Sequence, residues 1–123
     1  MSSYDVAIIG AGISGSSVAR ELSRYKLKTV VIEAEEDVAS GTTKANTAIV
    51  HAGYDAIPGS LKARMNIIGS RIYGRLCAEL DVPYHRTGTL VVAVGEEQAP
   101  LLGELKGKGI ANGVEGLELI DRG

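Results

Sequence analysis

The sequence of 123 residues contains no Phe, no Trp and a single cysteine, and each of these shortages limits the kinds of core or site that the protein can have. Cys77 alone excludes an internal disulfide and a cysteine-based metal site, which favours a reducing, cytoplasmic setting. The formal net charge of -2 gives no electrostatic reason to expect a nucleic acid or a membrane surface as partner. Apolar runs long enough for a signal peptide or a transmembrane segment are also missing. We therefore expect a soluble globular protein whose core is built from Ile, Leu, Val and Ala.

The first third of the chain predicts a βαβ unit. Residues 4–9 read as a strand whose apolar run at 6–9 is typical of a strand buried on both faces of a parallel sheet. A helix is predicted over residues 13–25 and a second strand over residues 29–32. Strand, helix and strand within about thirty residues indicate an α/β fold of the Rossmann type.

The sequence after residue 34 predicts a long loop, followed by a mixture of helices and strands. Residues 35–55 show no clear period, and a loop of that length in a compact domain is usually functional. Ser60 is the predicted N-cap of a strongly amphipathic helix that ends near Asp81 and Pro83. A strand at 87–94, a helix at 96–112 and a short strand at 117–120 follow. We expect residues 1–58 to bind a dinucleotide and residues 59–123 to begin a mixed α+β substrate region. The predicted apolar stripe of the amphipathic helix consists of Leu61, Met65, Ile68, Ile72, Leu76 and Leu80.

A glycine-rich motif separates the first strand from the first helix. Gly10, Gly12 and Gly15 form the pattern G-x-G-x-x-G, which is a weak signal alone but stands here in the strand–turn–helix context that supports it. Gly10 permits the tight turn, Gly12 allows the backbone to approach a pyrophosphate, and Gly15 allows close packing of the helix on the strand. The helix start at Ile13 offers unpaired N–H groups and a partial positive charge to phosphates, and the Ser14 hydroxyl would add a further donor.

An acidic residue ends the second strand at the position where Rossmann domains bind ribose. Glu33, with Ala34 beside it, lies 18 residues after Gly15, where a carboxylate accepts hydrogen bonds from the adenosine ribose. A carboxylate at this position also disfavours the 2′-phosphate of NADP. Since FAD and NAD share the adenosine diphosphate half, these residues do not distinguish them.

The loop segment carries the distinguishing pattern. It includes GTTKANT at 41–47 and HAGYD at 51–55, a run of small and hydroxyl-bearing residues suited to threading along an extended polar ligand. With PGSLKA at 58–63 and TGTLVVA at 87–93, it resembles the D-amino-acid oxidase superfamily of flavoenzymes. The resemblance is closest to the glycerol-3-phosphate dehydrogenase and L-2-hydroxyglutarate oxidase branches, and it covers essentially the whole chain.

The resemblance implies FAD as cofactor and a set of contacts to it. Thr42 and Thr43 would meet the phosphates or the ribityl chain, and Asn46 and Thr47 would lie along the ribityl chain and flavin. His51 and Gly53 would come close to the isoalloxazine ring. His51 would also be the candidate catalytic residue, since an imidazole can take a proton from a substrate hydroxyl near neutral pH.

The expected function is the FAD-binding portion of a flavin-dependent dehydrogenase or oxidase. Members of the family pass hydride from a substrate C–OH carbon to the flavin, and glycerol 3-phosphate is the first candidate substrate, with L-2-hydroxyglutarate the alternative. Because such enzymes are several times longer, we expect this chain to be an N-terminal portion that turns over no substrate alone. An NAD-binding module and a non-catalytic nucleotide-binding fragment remain alternatives, and the electron acceptor is open.

Overall fold

A computed structural model describes residues 3–120 and divides the chain into two compact units that meet between Ile49 and Val50. The first unit contains strand β1, helix α1 and strand β2, and the second contains helices α2 and α3. The functional division at residue 58 that the sequence predicts concerns cofactor and substrate regions, and it stays a prediction. The elements are β1 (Val6–Ile9), α1 (Ile13–Leu22), β2 (Thr29–Ile32), α2 (Leu61–Glu79) and α3 (Ala99–Asn112).

The predicted parallel βαβ unit is confirmed. β1 and β2 pair in parallel with Val6 opposite Thr29 and Ile9 opposite Ile32. The pairing is anchored at its start by Asp5, whose carboxylate accepts the Lys28 N–H at 2.8 Å while its own N–H donates to the Lys28 carbonyl at 2.9 Å. Both strands therefore end at the same edge, immediately before the glycine turn and Glu33.

Burial of β1 differs from the prediction. Ile8 is the buried residue of the strand, whereas Ile9 is 88% exposed. Side chains alternate between the faces of a strand, and α1 covers the face that carries Ile8. The run at 6–9 is apolar throughout, but in the described residues only one of its faces has a helix against it.

α1 is also shorter than predicted, since it ends at Leu22 rather than near Tyr25. The hydroxyl of Ser23 donates to the Arg20 carbonyl at 2.7 Å, and the Tyr25 N–H donates to the Leu22 carbonyl at 3.0 Å. These local hydrogen bonds satisfy groups at the helix end and turn the chain toward β2.

α2 begins as predicted. Ser60 is its N-cap, and the Ser60 hydroxyl accepts the Ala63 N–H at 3.1 Å. The helix ends at Glu79, just before Asp81 with a backbone φ of +53°. Local chemistry and backbone geometry therefore define both ends of this helix.

The predicted helix is confirmed, and its apolar stripe lies on the exposed side of α2 rather than on the packed side. The buried residues of this helix are Ala63 and Cys77, while the stripe is exposed apart from the half-buried Leu76. Periodicity identifies which face of a helix is apolar, but burial depends on the presence of a partner. In residues 3–120 the stripe is only partly covered, whereas the face with small side chains is packed.

α3 is confirmed with a later start than predicted. It begins at Ala99 rather than residue 96, because Pro100 is favoured in the first turn of a helix, and Gly95 and Gln98 form a hydrogen-bonded turn before it. The helix closes at Gly113, which takes the left-handed conformation with φ of +81°. This is the usual way in which glycine ends a helix.

The two strands predicted at 87–94 and 117–120 are wrong for residues 3–120. These segments are irregular, and β1 and β2 form the one sheet described. A strand requires a neighbour that supplies ladder hydrogen bonds, and no described segment pairs with either one. Gly88, with φ of +75°, also turns the backbone at the start of the first segment, and Leu90 is 70% exposed. Of the helices described, none is both long and apolar enough to cross a membrane.

Candidate functional site

The glycine turn lies between β1 and α1 as predicted, and its backbone is held to β2. Gly10 has a φ of +93°, and its N–H donates to the Ile32 carbonyl at 2.7 Å. A Cβ added at Gly15 would overlap the Gly10 carbonyl oxygen and lie 3.3 Å from Ile8 Cγ2. Gly15 is therefore the point where α1 approaches the strand as closely as a backbone without a side chain allows.

A hydroxyl from the loop completes the start of α1. Gly12 is the N-cap and offers no side-chain hydrogen bond, but Thr43 Oγ1 accepts the Ile13 N–H at 3.0 Å. A Cβ added at Gly12 would lie 3.1 Å from the same oxygen. Thr43, 30 residues later in sequence, thus contacts two residues of the predicted phosphate site. The N–H groups of Ser14 and Gly15 also belong to the first turn, where no intrahelical acceptor exists and the helix dipole is positive.

Glu33 lies beside the same turn. Its Oε2 accepts the Ala11 N–H at 2.6 Å, and its Oε1 accepts the N–H groups of Ala34 at 2.8 Å and Glu35 at 3.2 Å. These hydrogen bonds, the one from Ala11 foremost, lower the pKa of the Glu33 carboxyl because they stabilise its charged form. The carboxylate is therefore ionised near neutral pH and organises the turn, and Oε2 keeps lone-pair capacity for a further donor.

Two contacts at the turn involve residues that the sequence does not indicate. The Ala11 carbonyl accepts the Ser16 hydroxyl at 3.2 Å and the Ala39 N–H at 3.2 Å. The hydroxyl of Ser16 could have been predicted to contact the glycine turn, because Ser16 lies within one helical turn of the start of α1. No local sequence pattern indicates the contact of Ala39. Ser14, predicted to face the phosphates, is exposed in the first turn of α1.

The rest of the predicted loop site is a series of exposed turns. The side chain of Asn46 donates to the Thr43 carbonyl and accepts the Ala48 N–H at 2.7 Å. Thr42 accepts the Ala45 N–H through its carbonyl at 3.1 Å, and Thr42 and Thr47 are exposed. Asn46 therefore shapes the segment that presents Thr43, and the contacts of Thr42 and Thr47 with a cofactor stay predictions.

His51 and Gly53 belong to the second unit. His51 is exposed, and Gly53 is buried with a φ of +97°. A Cβ added at Gly53 would lie 3.0 Å from Ile67 Cδ1 of α2. The Gly53 position therefore requires glycine for both its conformation and its space. In the described part of the chain, no three or more His, Cys, Asp or Glu side chains are grouped so that they could hold a metal ion.

Comparison with known families decides the assignment. Residues 5–123 match the family model described as FAD dependent oxidoreductase. The chain belongs to this family. The match covers nearly the whole chain, and it confirms the resemblance inferred from residues 41–63 and 87–93.

Individual relatives agree with the family match. The chain is 51% identical over 119 residues to a glycerol 3-phosphate dehydrogenase of Caloramator mitchellensis, covering 97% of this chain and 25% of that protein. It is 39% identical over 121 residues to a mitochondrial L-2-hydroxyglutarate dehydrogenase of Nematostella vectensis, covering 97% of this chain and 26% of that protein. The chain thus spans about a quarter of the length of these relatives.

A solved structure supports the fold. The chain is similar, with a TM-score of 0.75 and 37% identity, to the dithionite-reduced L-α-glycerophosphate oxidase of Mycoplasma pneumoniae with FAD bound. The similarity covers 91% of this chain and 29% of that one. This confirms the FAD-binding Rossmann class for a chain that corresponds to part of a longer fold.

FAD is the cofactor of this family, and the residues of the first unit fit its adenosine diphosphate half. The glycine turn exposes backbone at Gly12 where a side chain would intrude, and the first turn of α1 supplies N–H donors for phosphate oxygens. The ionised Glu33 would offer an acceptor to a ribose hydroxyl.

Proposed function

We propose that this chain is the dinucleotide-binding portion of a flavin-dependent dehydrogenase that oxidises a secondary alcohol, with glycerol 3-phosphate as substrate. The observation that carries the proposal is the glycine turn, which belongs to a chain of the FAD dependent oxidoreductase family and is tied to Glu33 through the Ala11 N–H. Gly12, Ser14 and Gly15 bind the pyrophosphate through backbone N–H groups, and Gly10 and Ile13, whose N–H groups donate to Ile32 and Thr43, shape the turn around it. Glu33 binds the ribose, and Ala34 holds the Glu33 carboxylate in place.

The loop and the second unit supply the remaining proposed contacts. Thr42 and Thr43 bind phosphate or ribityl oxygens, and Asn46 and Thr47 follow the ribityl chain. Gly53 permits close approach of the backbone to the ring. When bound, FAD supplies the acceptor for the hydride of the substrate carbon.

His51 is the proposed catalytic residue. An exposed imidazole can accept the proton of the substrate hydroxyl as the carbon is oxidised, and His85 is a second exposed histidine with no proposed role. Positioned proton transfer contributes about 10² to 10⁴ in rate. In a full-length enzyme in which this chain replaces the corresponding quarter of the glycerol 3-phosphate dehydrogenase, we therefore expect His51→Asn to lower turnover by that order and His85→Asn to leave it unchanged.

Glycerol 3-phosphate is favoured over L-2-hydroxyglutarate because identity is higher to the glycerol 3-phosphate dehydrogenase, 51% against 39%. Two chimeras test this choice of substrate. In the first, the chain replaces the corresponding quarter of the glycerol 3-phosphate dehydrogenase, and in the second it replaces that of the L-2-hydroxyglutarate dehydrogenase. Turnover of glycerol 3-phosphate by the first chimera and none of L-2-hydroxyglutarate by the second would support the proposal. The reverse result would favour the hydroxy acid. We propose a cytoplasmic location, supported by the single cysteine.

Titration of the purified chain with FAD and with NAD tests the cofactor. The chain lacks tryptophan, so the anisotropy of flavin fluorescence reports binding without quenching by that residue. Gly12→Val should abolish FAD binding, because its side chain enters the space next to Thr43 Oγ1. Gly69→Val is the matched control, since Gly69 lies in α2 outside the proposed cofactor contacts and a Cβ there meets nothing within 4 Å. A preference for NAD would overturn the proposal. We expect the chain alone to reduce no dye with either substrate.

A further inference from the structure

The side-chain amide of Asn112 lies between two backbone carbonyls of residues 53–56. Asn112 is the last residue of α3, and its Nδ2 donates to the Gly53 carbonyl at 2.9 Å and to the Ala56 carbonyl at 2.8 Å. Both hydrogens of the amide group are therefore used on a segment 56 to 59 residues away in sequence. Ala56 is only 2% exposed, so its carbonyl is shielded from water that could replace Asn112.

Packing around the same segment is close on two sides. A Cβ added at Gly109, one turn before Asn112, would overlap the Leu117 side chain and lie 3.1 Å from Tyr54 Cβ. On the other side Gly53 meets Ile67 of α2. Residues 53–56 are thus held between α2 and the end of α3, with glycine at each point of closest approach.

We propose that Asn112 is a positioning residue that fixes the backbone of residues 51–56, and with it the direction from which His51 is presented. The proposal rests on the function proposed above for His51 and Gly53. Two carbonyl oxygens facing one side chain need two donated hydrogens, and the carboxamide Nδ2 of Asn112 provides both. An aspartate of the same shape, when ionised, would place an acceptor oxygen against both carbonyls.

A surface ion pair within the same segment does not replace the hydrogen bonds of Asn112. Asp55 pairs with Lys62 at 3.6 Å, and both side chains are substantially exposed. Exposed ion pairs of this kind contribute little to holding a backbone in place. Among the polar contacts of the described residues, the two hydrogen bonds of Asn112 are therefore the stronger restraint on residues 53–56.

The first test is hydrogen exchange of side-chain amides in the labelled chain, followed by NMR. Gln98, exposed at the other end of α3, is the internal reference. We expect the Nδ2 hydrogens of Asn112 to exchange at least about tenfold more slowly than the Nε2 hydrogens of Gln98, since their two hydrogen bonds must break before exchange. Equal exchange rates would overturn the proposal without any variant being made.

The second test compares Asn112→Asp with Gln98→Glu, which make the same change of amide to carboxylate on one helix. Gln98 Oε1 accepts the Val94 N–H, and a carboxylate preserves that contact. Asn112→Asp should shift the carbonyl ¹³C resonances of Gly53 and Ala56 and the imidazole resonances of His51, whereas Gln98→Glu should leave all three in place. Unmoved His51 resonances in a folded Asn112→Asp chain would contradict a positioning role. If that variant does not fold, the exchange rates of the unmodified chain decide.

FAD titration of the same samples separates this proposal from the function on which it rests. Slow exchange and shifted His51 resonances in a chain that binds no FAD would support Asn112 as a restraint and count against the proposed function. FAD binding with fast exchange at Asn112 would support the proposed function and overturn the role of Asn112.

Discussion

Gly15 offers the sharpest test of how the glycine turn is built. An alanine at this position would place its Cβ on the Gly10 carbonyl oxygen, which is backbone rather than a movable side chain. The backbone of the turn has little freedom to move, because the Gly10 N–H donates to the Ile32 carbonyl at 2.7 Å and the Ala11 N–H donates to Glu33 Oε2 at 2.6 Å. Overpacking costs typically about 1–3 kcal/mol, and a clash with restrained backbone belongs at the upper end.

The helix propensity of alanine offsets part of this cost. Alanine is better than glycine inside a helix by about 1 kcal/mol. The net loss for Gly15→Ala is therefore about 2 kcal/mol, which lowers the hydrogen-exchange protection of amides in β1 and α1 by roughly thirtyfold. The change should be confined to the first unit and be accompanied by weaker FAD binding.

Gly69→Ala is the matched control. Gly69 lies inside α2, and a Cβ there meets nothing within 4 Å. The same substitution should therefore stabilise α2 by up to about 1 kcal/mol and raise its amide protection. A Gly15→Ala chain as protected as the unmodified one, or a shift of equal sign in both variants, would refute the steric reasoning.

Three further predictions concern the turn and the exposed apolar surface. Thr43→Val removes the acceptor for the Ile13 N–H, so hydrogen exchange of that amide should become about fivefold faster, as expected for the loss of an N-cap worth about 1 kcal/mol. Thr42→Val should leave this exchange rate unchanged. Equal effects of the two variants would argue that Thr43 does not cap α1. Because the pKa of Glu33 is lowered in the folded chain, its stabilising effect is complete above the ordinary glutamate value of roughly 4.3 and declines as the pH falls below it. Thermal unfolding of the unmodified chain and Glu33→Gln should therefore differ near pH 7 and converge in acid, and a constant difference would contradict this. The exposed stripe of α2, with the exposed Leu90, Val92 and Val94, should make the chain self-associate, so its size-exclusion elution volume should depend on concentration. A clean monomer at all concentrations would disprove this.

The elements that the sequence predicts correctly are those with local causes. β1, α1 and β2 follow from apolar runs around a glycine motif, and the N-cap at Ser60 follows from chemistry within three residues of the start of α2. The Glu33 position follows from its place after β2. In each case the partners lie close in sequence or obey a fixed spacing.

The features that the sequence misses depend on distant partners. Thr43 contacts Ile13 across 30 residues, and Asn112 contacts Gly53 across 59, and no periodicity reports either pair. Residues 87–94 have the composition of a strand, yet strand formation requires a neighbour that the described residues do not supply. The buried face of α2 escapes prediction for the same reason, since its apolar stripe has no described partner.

The different sequence spans of the two sets of contacts also have a kinetic consequence. The described hydrogen bonds from the glycine turn to Ile32, Glu33, Ala39 and Thr43 close loops of about 30 residues or fewer. The hydrogen bonds of Asn112 close loops nearly twice as long, which raises the entropic cost of loop closure by about 0.6 kcal/mol. These hydrogen bonds can form only after α3 has been synthesised. During translation, the nucleotide turn can therefore assemble while the chain that restrains residues 53–56 has yet to leave the ribosome.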